Sequence, residues 1–172
     1  MKRLIVLAII ILSSFLLQTT VLQSIPYLAI TPNLLLIVTF SFGFMRGRKE
    51  GIYVGFFCGL LMDLFYGDII GYYTLVYVYV GYINGIVSKY LVTDIVLLPL
   101  GLCLFSELFY NTYVYIFGFL LRNRLNVIEY FNKVIMPETV LTIFCTIFVY
   151  GILLIINQKL EVSEKKGADK FA

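Results

Sequence analysis

The sequence predicts an all-α membrane protein built as a bundle of six transmembrane helices. Of its 172 residues, 61% are hydrophobic and 13% are charged, whereas the apolar share of a soluble domain is roughly 45–50%. The mean hydropathy is +0.97. The apolar residues form long runs, and the charged residues fall in short clusters between them. This is the pattern of membrane spans joined by loops.

Six apolar runs define the predicted spans. The first follows Lys2 and Arg3 and lacks a small-residue cleavage site, so we interpret it as a retained helix and not as a signal peptide. Thr31 and Pro32 precede the short second run, where they would supply an N-cap hydroxyl and an N1 proline. The spans cover residues 4–23, 31–45, 51–66, 71–88, 95–120 and 135–157.

An amphipathic helix, residues 121–134, is predicted between the fifth and sixth spans, in the outer membrane interface. It would either anchor a connecting loop or offer a surface to an extracytoplasmic partner. Beyond the membrane domain of residues 1–158 comes a cytoplasmic tail of residues 159–172, in which the charged segment from Glu161 to Ala172 is expected to lack regular structure. The apolar positions of the interfacial helix are Leu121, Leu125, Ile128 and Phe131.

The basic residues predict that both termini are cytoplasmic, because Lys and Arg concentrate in the cytoplasmic loops of membrane proteins. With six spans, ten of the 13 basic residues fall on the side of the termini and three on the other side. The expected location is the bacterial plasma membrane. The net charge of +3 comes from loops and tails and forms no continuous basic face, so no nucleic-acid partner is implied.

The residue inventory argues against an enzyme. The chain contains no histidine, and its three cysteines lie singly in different spans, without metal-ligand or redox spacing. It also lacks a nucleotide-binding glycine motif. No catalytic, cofactor-binding or metal-binding residue is predicted, although membrane chemistry by carboxylates alone is left open as the lowest-ranked alternative.

Glycines at four-residue spacing are the most informative feature. Gly51, Gly55 and Gly59 share one face of the third span, and Asp63 lies at the end of that face. Such a groove lets another helix backbone come close. The groove either packs a neighbouring span of the same chain, which we favour, or docks a helix of another protein.

Polar side chains from four spans are predicted to reach one layer in the outer half of the membrane. An ionisable group in a membrane span is costly, so each one needs a structural or functional reason. This layer either holds the bundle together or forms a pocket, and the sequence favours neither. Its predicted members are Gln18, Asp63, Glu107, Asn111 and Glu138.

The run from Gly55 to Asp63, G-F-F-C-G-L-L-M-D, resembles the G-F-x-x-G-x-x-x-D signature of the MreD family of rod shape-determining proteins. Three further segments are similar to that family: T-P-N-L-L-L from Thr31, E-L-F-Y from Glu107, and Pro137 at the opening of the last span. The length and the basic cytoplasmic side agree over the whole chain.

The resemblance implies a non-enzymatic scaffold of the elongasome, the machinery that organises peptidoglycan synthesis during cell elongation. Its expected partner is the single-span protein MreC. The wider complex would include MreB, RodA and the transpeptidase that works with RodA, and the protein would also contact membrane lipid. The family bundle is also similar to the S component of ECF transporters. Whether the chain forms a homo-oligomer is left open.

The alternative function is an S-component-like subunit that binds a small molecule for a membrane transporter. The outer polar layer would then be its binding site. Copurification with MreC would favour the scaffold, whereas copurification with an energising ATPase module would favour the transporter subunit.

Overall fold

The structure is a computed structural model that describes residues 2–22, 31–90, 97–120 and 127–168. Within these ranges the chain is helical and contains no strand, so the all-α prediction is confirmed there. The helices are α1 (Lys2–Leu16, continued by a π-helix at Leu17–Leu22), α2 (Leu34–Arg46), α3 (Arg48–Tyr66), α4 (Tyr72–Val87), α5 (Leu97–Tyr115, continued by a π-helix at Ile116–Leu120), α6 (Val127–Tyr130, continued by a π-helix at Phe131–Ile135) and α7 (Met136–Ala168).

Large hydrophobic side chains are exposed on the outside of the bundle, while several charged and polar side chains are buried inside it. Leu4 on α1 is 70% exposed and Phe148 on α7 is 61% exposed, whereas Glu107 on α5 is 0% exposed. In water, charged side chains are almost never fully buried. In lipid, apolar side chains face outward and ionisable ones face the bundle interior. The distribution therefore indicates a membrane protein.

Consecutive long helices run in opposite directions between two ends of the bundle. At one end, Arg46 closes α2 and forms an ion pair with Glu164 near the end of α7. At the other end, Asp63 of α3 contacts the start of α4. We call these the Arg46 end and the Asp63 end. Along α4, Tyr72 contacts Val114 of α5 and Asn84 contacts Ser106 of α5. Along α5, Cys103 contacts Thr146 of α7 and Glu107 contacts Thr142 of α7. In both pairs the residue numbers run in opposite directions, so α5 is antiparallel to α4 and to α7.

Helix α2 occupies the centre of the bundle. Every residue from Leu34 to Gly43 is buried, and α2 contacts α1, α3, α4, α5 and α7. Its 13 residues span only about 20 Å at ~1.5 Å per residue, against a hydrocarbon core of ~30 Å. The first turn of α2 therefore lies inside the protein, where its backbone amides need protein partners.

Three helical segments are long and apolar enough to cross a membrane by length and composition, and α2 is apolar but shorter. The helices α3 and α4 do not meet these criteria. The predicted count of six spans therefore stays a prediction. The three segments are Arg3–Thr20, Leu98–Gly118 and Ile128–Glu164.

Two local predictions at helix ends are wrong. The N-cap of α2 is Asn33, whose side-chain oxygen accepts from the Leu36 amide, and the predicted cap at Thr31 lies before the helix. The segment after Glu161 is also helical, through Ala168, because its acidic side chains pair with basic groups from other helices. The ion pairs with Arg46 offset the loss of conformational entropy that accompanies the ordering of this segment.

The boundary drawn between the interfacial helix and the sixth span does not coincide with an end of the helix. Residues 127–168 form one helical run, with a π-helix at Phe131–Ile135 in place of a break. A π turn adds a residue to a helical turn without ending the helix, so apolar periodicity changes there while the helix continues. The first part of the predicted interfacial helix, 121–126, lies outside the described residues.

Candidate functional site

The glycine groove of α3 is filled by α4 of the same chain. A Cβ atom built on Gly55 would lie 2.5 Å from the carbonyl oxygen of Tyr77, and Cβ atoms on Gly51 and Gly59 would also collide with the α4 backbone. Only residues without side chains allow two helix backbones to come this close. A partner helix would therefore have to dock on another face, which corrects the partner-docking alternative for this groove.

Asp63 holds the start of α4 in place. One carboxylate oxygen accepts from the amides of Gly71 and Thr74, at 2.8 and 3.0 Å, and from the Thr74 hydroxyl; the other accepts from the Tyr73 amide at 2.7 Å. These amides open α4 and have no partner within the helix. The negative carboxylate also complements the positive end of the helix dipole. Asp63 therefore joins α3 to α4, and among the described residues its hydrogen bonds go to the start of α4 and not to the other predicted members of the polar layer.

Three predicted members of the polar layer meet between α5 and α7. The Glu107 oxygen Oε1 accepts hydrogen bonds from the side-chain amide of Asn111 at 3.5 Å and from the Thr142 hydroxyl at 3.4 Å. Glu138 is a near neighbour of both Glu107 and Asn111. The second oxygen of Glu107, Oε2, is buried without a hydrogen-bond partner among the described residues.

Gln18, another predicted member, serves the first turn of α2. Its Oε1 atom accepts from the Leu35 amide at 3.2 Å, while Asn33 Oδ1 accepts from the Leu36 amide at 3.1 Å. Asn33 Oδ1 also accepts from the Tyr77 hydroxyl at 2.7 Å. The buried start of α2 is thus capped by side chains from α1 and from the residue just before α2, and α4 braces the cap.

Thr142 connects this cap to the polar layer. The Thr142 hydroxyl accepts a hydrogen bond from the backbone amide of Asn33 at 3.1 Å and donates one to the Glu107 carboxylate. Sequence reasoning missed Asn33, Tyr77 and Thr142 as members of this network. An Asn directly before an apolar run is an N-cap signal that could have identified Asn33, whereas one Tyr among 14 and a Thr inside a span carry no such signal.

Arg46 was also missed as a structural residue. Its side chain is 10% exposed and donates to Asn157 at Oδ1 and at the backbone oxygen, and to Glu164 at 2.9 Å. Glu161 lies 3.9 Å from the guanidinium. A guanidinium presents five donors in a fixed plane, which suits several acceptors at once. Arg46 therefore fixes the last turns of α7 against the end of α2.

The described part of the predicted interfacial helix presents apolar side chains outward. Ile128 is 79% exposed and Phe131 is 41% exposed. Leu121 and Leu125 lie outside the described residues. The outward face of this segment is therefore available to lipid or to a partner.

The buried polar groups mostly serve to hold helices together. Among the described residues, no group of three or more His, Cys, Asp or Glu side chains could hold a metal ion. The carboxylate of Asp63 and the amides of Gln18 and Asn33 are committed to helix starts. The fold and this network define the class of the protein. It is a helical membrane protein in which buried polar side chains hold the starts of its helices by hydrogen bonds to backbone amides.

Comparison with family models identifies the family. Residues 1–160 match the model of MreD, the rod shape-determining protein. The chain therefore belongs to the MreD family, which confirms the resemblance found in the G-F-x-x-G-x-x-x-D run and makes it a rod-shape-determining membrane protein. Comparison with curated proteins and with solved structures gave no match.

Proposed function

We propose that this protein is a non-enzymatic, six-span scaffold of the cell-elongation machinery that binds MreC and helps to organise peptidoglycan synthesis. The observation that carries the proposal is the commitment of Asp63, the acidic residue of the family-like motif, to four hydrogen bonds at the start of α4. A carboxylate used in this way builds a rigid surface and is not free for substrate chemistry. Membership of the MreD family supports the same conclusion.

In this proposal six helices cross the membrane, with the Arg46 end in the cytoplasm: α1, α2, α3, α4, α5 and α7. Basic side chains support this orientation, since Arg3, Arg46 and Lys49 lie at that end. Cysteine labelling tests this orientation. In a cysteine-free background, single cysteines replace Lys49 or Ile69, and Ile69 is 70% exposed near the Asp63 end. An impermeant thiol reagent should label Ile69→Cys in intact cells and Lys49→Cys only after permeabilisation. The reverse order would contradict the orientation.

MreC is proposed to dock on the outward face of α5 and α7. Gly101 of α5 and Gly151 of α7 are exposed, and each has nothing within 4 Å of an added Cβ atom. Because Cys103 contacts Thr146 in the antiparallel pair, the two glycines lie within about one helical turn of the same level. Small residues on an exposed face allow the close approach of a single-span helix.

Copurification tests the scaffold function. Full-length tagged protein, extracted in a mild detergent, should retain MreC, and the paired replacement Gly101→Leu with Gly151→Leu should reduce that retention. The matched control is Ile5→Phe, a change on the outward face of α1. Retention of MreC by the paired variant at the control level would reject the docking face, and absence of MreC from the unmodified protein would reject the scaffold.

One observation favours the transporter-subunit alternative. Glu107 Oε2 is buried without a partner among the described residues, next to Asn111 and Glu138. An unpaired polar atom in such a place is costly, and a bound small molecule would satisfy it. Retention of an energising ATPase module or of a copurifying small molecule, lost on Glu107→Gln, would support this function over the scaffold.

A further inference from the structure

A cavity of about 820 Å³ lies between α1 and α3. Its walls are apolar and include Leu7 and Ile11 from α1 and Val54 and Leu61 from α3. The volume falls within the range of ~300–1,000 Å³ of sites that hold a small molecule. The cavity is separate from the polar layer, none of whose members lines it.

The cavity opens sideways, toward the surroundings of the bundle. Tyr53 and Phe57 line it and are 67% and 52% exposed. The lining on α3 runs from Lys49 to Leu61, and the 12 helical steps between these two residues span about 18 Å at a rise of ~1.5 Å. One leaflet of a hydrocarbon core of ~30 Å has about this depth. A molecule that enters from the membrane would therefore fit along one leaflet.

The polar end of the cavity carries Arg3, Lys49 and Glu50, at the Arg46 end of the bundle. Arg3 is paired with Glu50 and lies 3.6 Å from Glu164. Lys49 forms no ion pair within the part of the chain that the structure describes. Glu50 Oε2 is buried and accepts no hydrogen bond from the described residues. The end of the cavity thus offers one unpaired positive charge beside one unfilled hydrogen-bond acceptor.

The lining suits acyl chains better than a protein helix. Helices dock in membranes where small residues let backbones approach. Among the described residues that line this cavity, Ala8 is the only small one, and the others on α3 include Tyr53, Phe57 and Leu60. The small-residue face of α3 is turned toward α4. Flexible acyl chains can fill the irregular space between bulky side chains without a close approach of backbones.

We propose that the cavity between α1 and α3 binds one anionic glycerophospholipid whose headgroup carries a hydroxyl, with phosphatidylglycerol as the chemistry that fits. The acyl chains lie along the apolar walls, the phosphate contacts Lys49, and a headgroup hydroxyl donates to Glu50 Oε2. The assignment of the lipid to the cytoplasmic leaflet rests on the proposed function, whose topology places the Arg46 end in the cytoplasm.

Native mass spectrometry of the full-length protein tests the proposal. The protein is purified in a mild detergent and equilibrated with equal amounts of phosphatidylglycerol, phosphatidylethanolamine and phosphatidylcholine. One phosphatidylglycerol should be retained in preference to the other two. Lys49→Glu should reduce its retention at least about fivefold, because one basic group beside an anionic lipid contributes ~1 kcal/mol. Arg48→Glu, the same charge change on the next residue and outside the cavity, should leave retention unchanged.

A second pair of variants tests the apolar part of the cavity. Ala8→Trp should fill the space beside α3 and displace the lipid. Ile9, on the outer side of α1, is 60% exposed, so Ile9→Trp should leave the lipid bound. Equal retention of the three lipids, equal effects of the two charge variants, or full retention by Ala8→Trp would each overturn the proposal. MreC copurification with Lys49→Glu separates the two proposals, since loss of lipid with retained MreC leaves the scaffold intact.

Discussion

Replacing Asp63 with Ala should destabilise the bundle at the start of α4. The carboxylate accepts from the amides of Gly71, Tyr73 and Thr74 and from the Thr74 hydroxyl. A buried donor without a partner costs about 1–3 kcal/mol. The Gly71 amide lies in the loop and the hydroxyl can rotate to another acceptor, so we assign the cost to two amides. The expected loss in the free energy of unfolding is about 2–6 kcal/mol, more than the ~1 kcal/mol typical of an ordinary N-cap.

The native cysteines report this loss. Cys58 and Cys103 are buried and Cys145 is partly buried, so a thiol-reactive dye should report unfolding of the detergent-solubilised protein as temperature rises. For a protein of 150–250 residues, 1 kcal/mol corresponds to roughly 2–4 °C in Tm. A loss of about 2–6 kcal/mol should therefore lower the Tm of Asp63→Ala by roughly 4–24 °C.

The exposed Asp68 in the next loop provides the matched control, since Asp68→Ala removes the same charge. Water screens the contacts of an exposed carboxylate, so Asp68→Ala should lower Tm by less than Asp63→Ala does. Equal Tm values for Asp63→Ala, Asp68→Ala and the unmodified protein would refute the role assigned to Asp63.

Three other changes test the remaining contacts. Gly55→Ala should lower the free energy of unfolding by about 1–3 kcal/mol, because its Cβ collides with the α4 backbone, whereas Gly101→Ala, which faces open space, should not lower it. Arg46→Ala should speed amide hydrogen exchange in the last turns of α7, and Lys159→Ala, an exposed change on α7, should not. Thr142→Val keeps the shape of the side chain but removes a link to the buried start of α2, and should cost about 1–3 kcal/mol in a dye-unfolding assay.

Each of these expectations has a contrary result. A Gly55→Ala protein as stable as Gly101→Ala would contradict the close packing of α3 on α4. Unchanged exchange in Arg46→Ala would show that the end of α7 does not depend on the guanidinium. Unaltered stability in Thr142→Val would exclude the threonine as a structural link.

The glycine and aspartate pattern on α3 was visible in the sequence, but its partner was not. Four-residue spacing places Gly51, Gly55 and Gly59 on one face whatever packs there. Which backbone fills that face depends on the whole bundle, and here it is α4 of the same chain. Likewise, burial of Asp63 follows from its place in an apolar run, whereas its partners lie eight to eleven residues later, at Gly71 and in the first turn of α4.

The central position of α2 was not predictable from its own residues. An apolar run of this length fits equally well at the edge or at the centre of a bundle. Its burial is decided by contacts with five other helices, and its cap uses Gln18 from α1. The helical end of α7 was missed for the same reason, because its charged residues are ordered by Arg46, which is distant in sequence.

Site-specific photocrosslinking in living cells tests the central claim most directly. A photoreactive residue is placed at Phe105 of α5 or Phe148 of α7, which are 56% and 61% exposed beside the open glycines, with Leu64 of α3, 59% exposed, as the control. Capture of MreC from α5 and α7, but not from α3, is the result that the scaffold predicts. Capture of an energising ATPase module in place of MreC, or equal capture of MreC from all three positions, would contradict it.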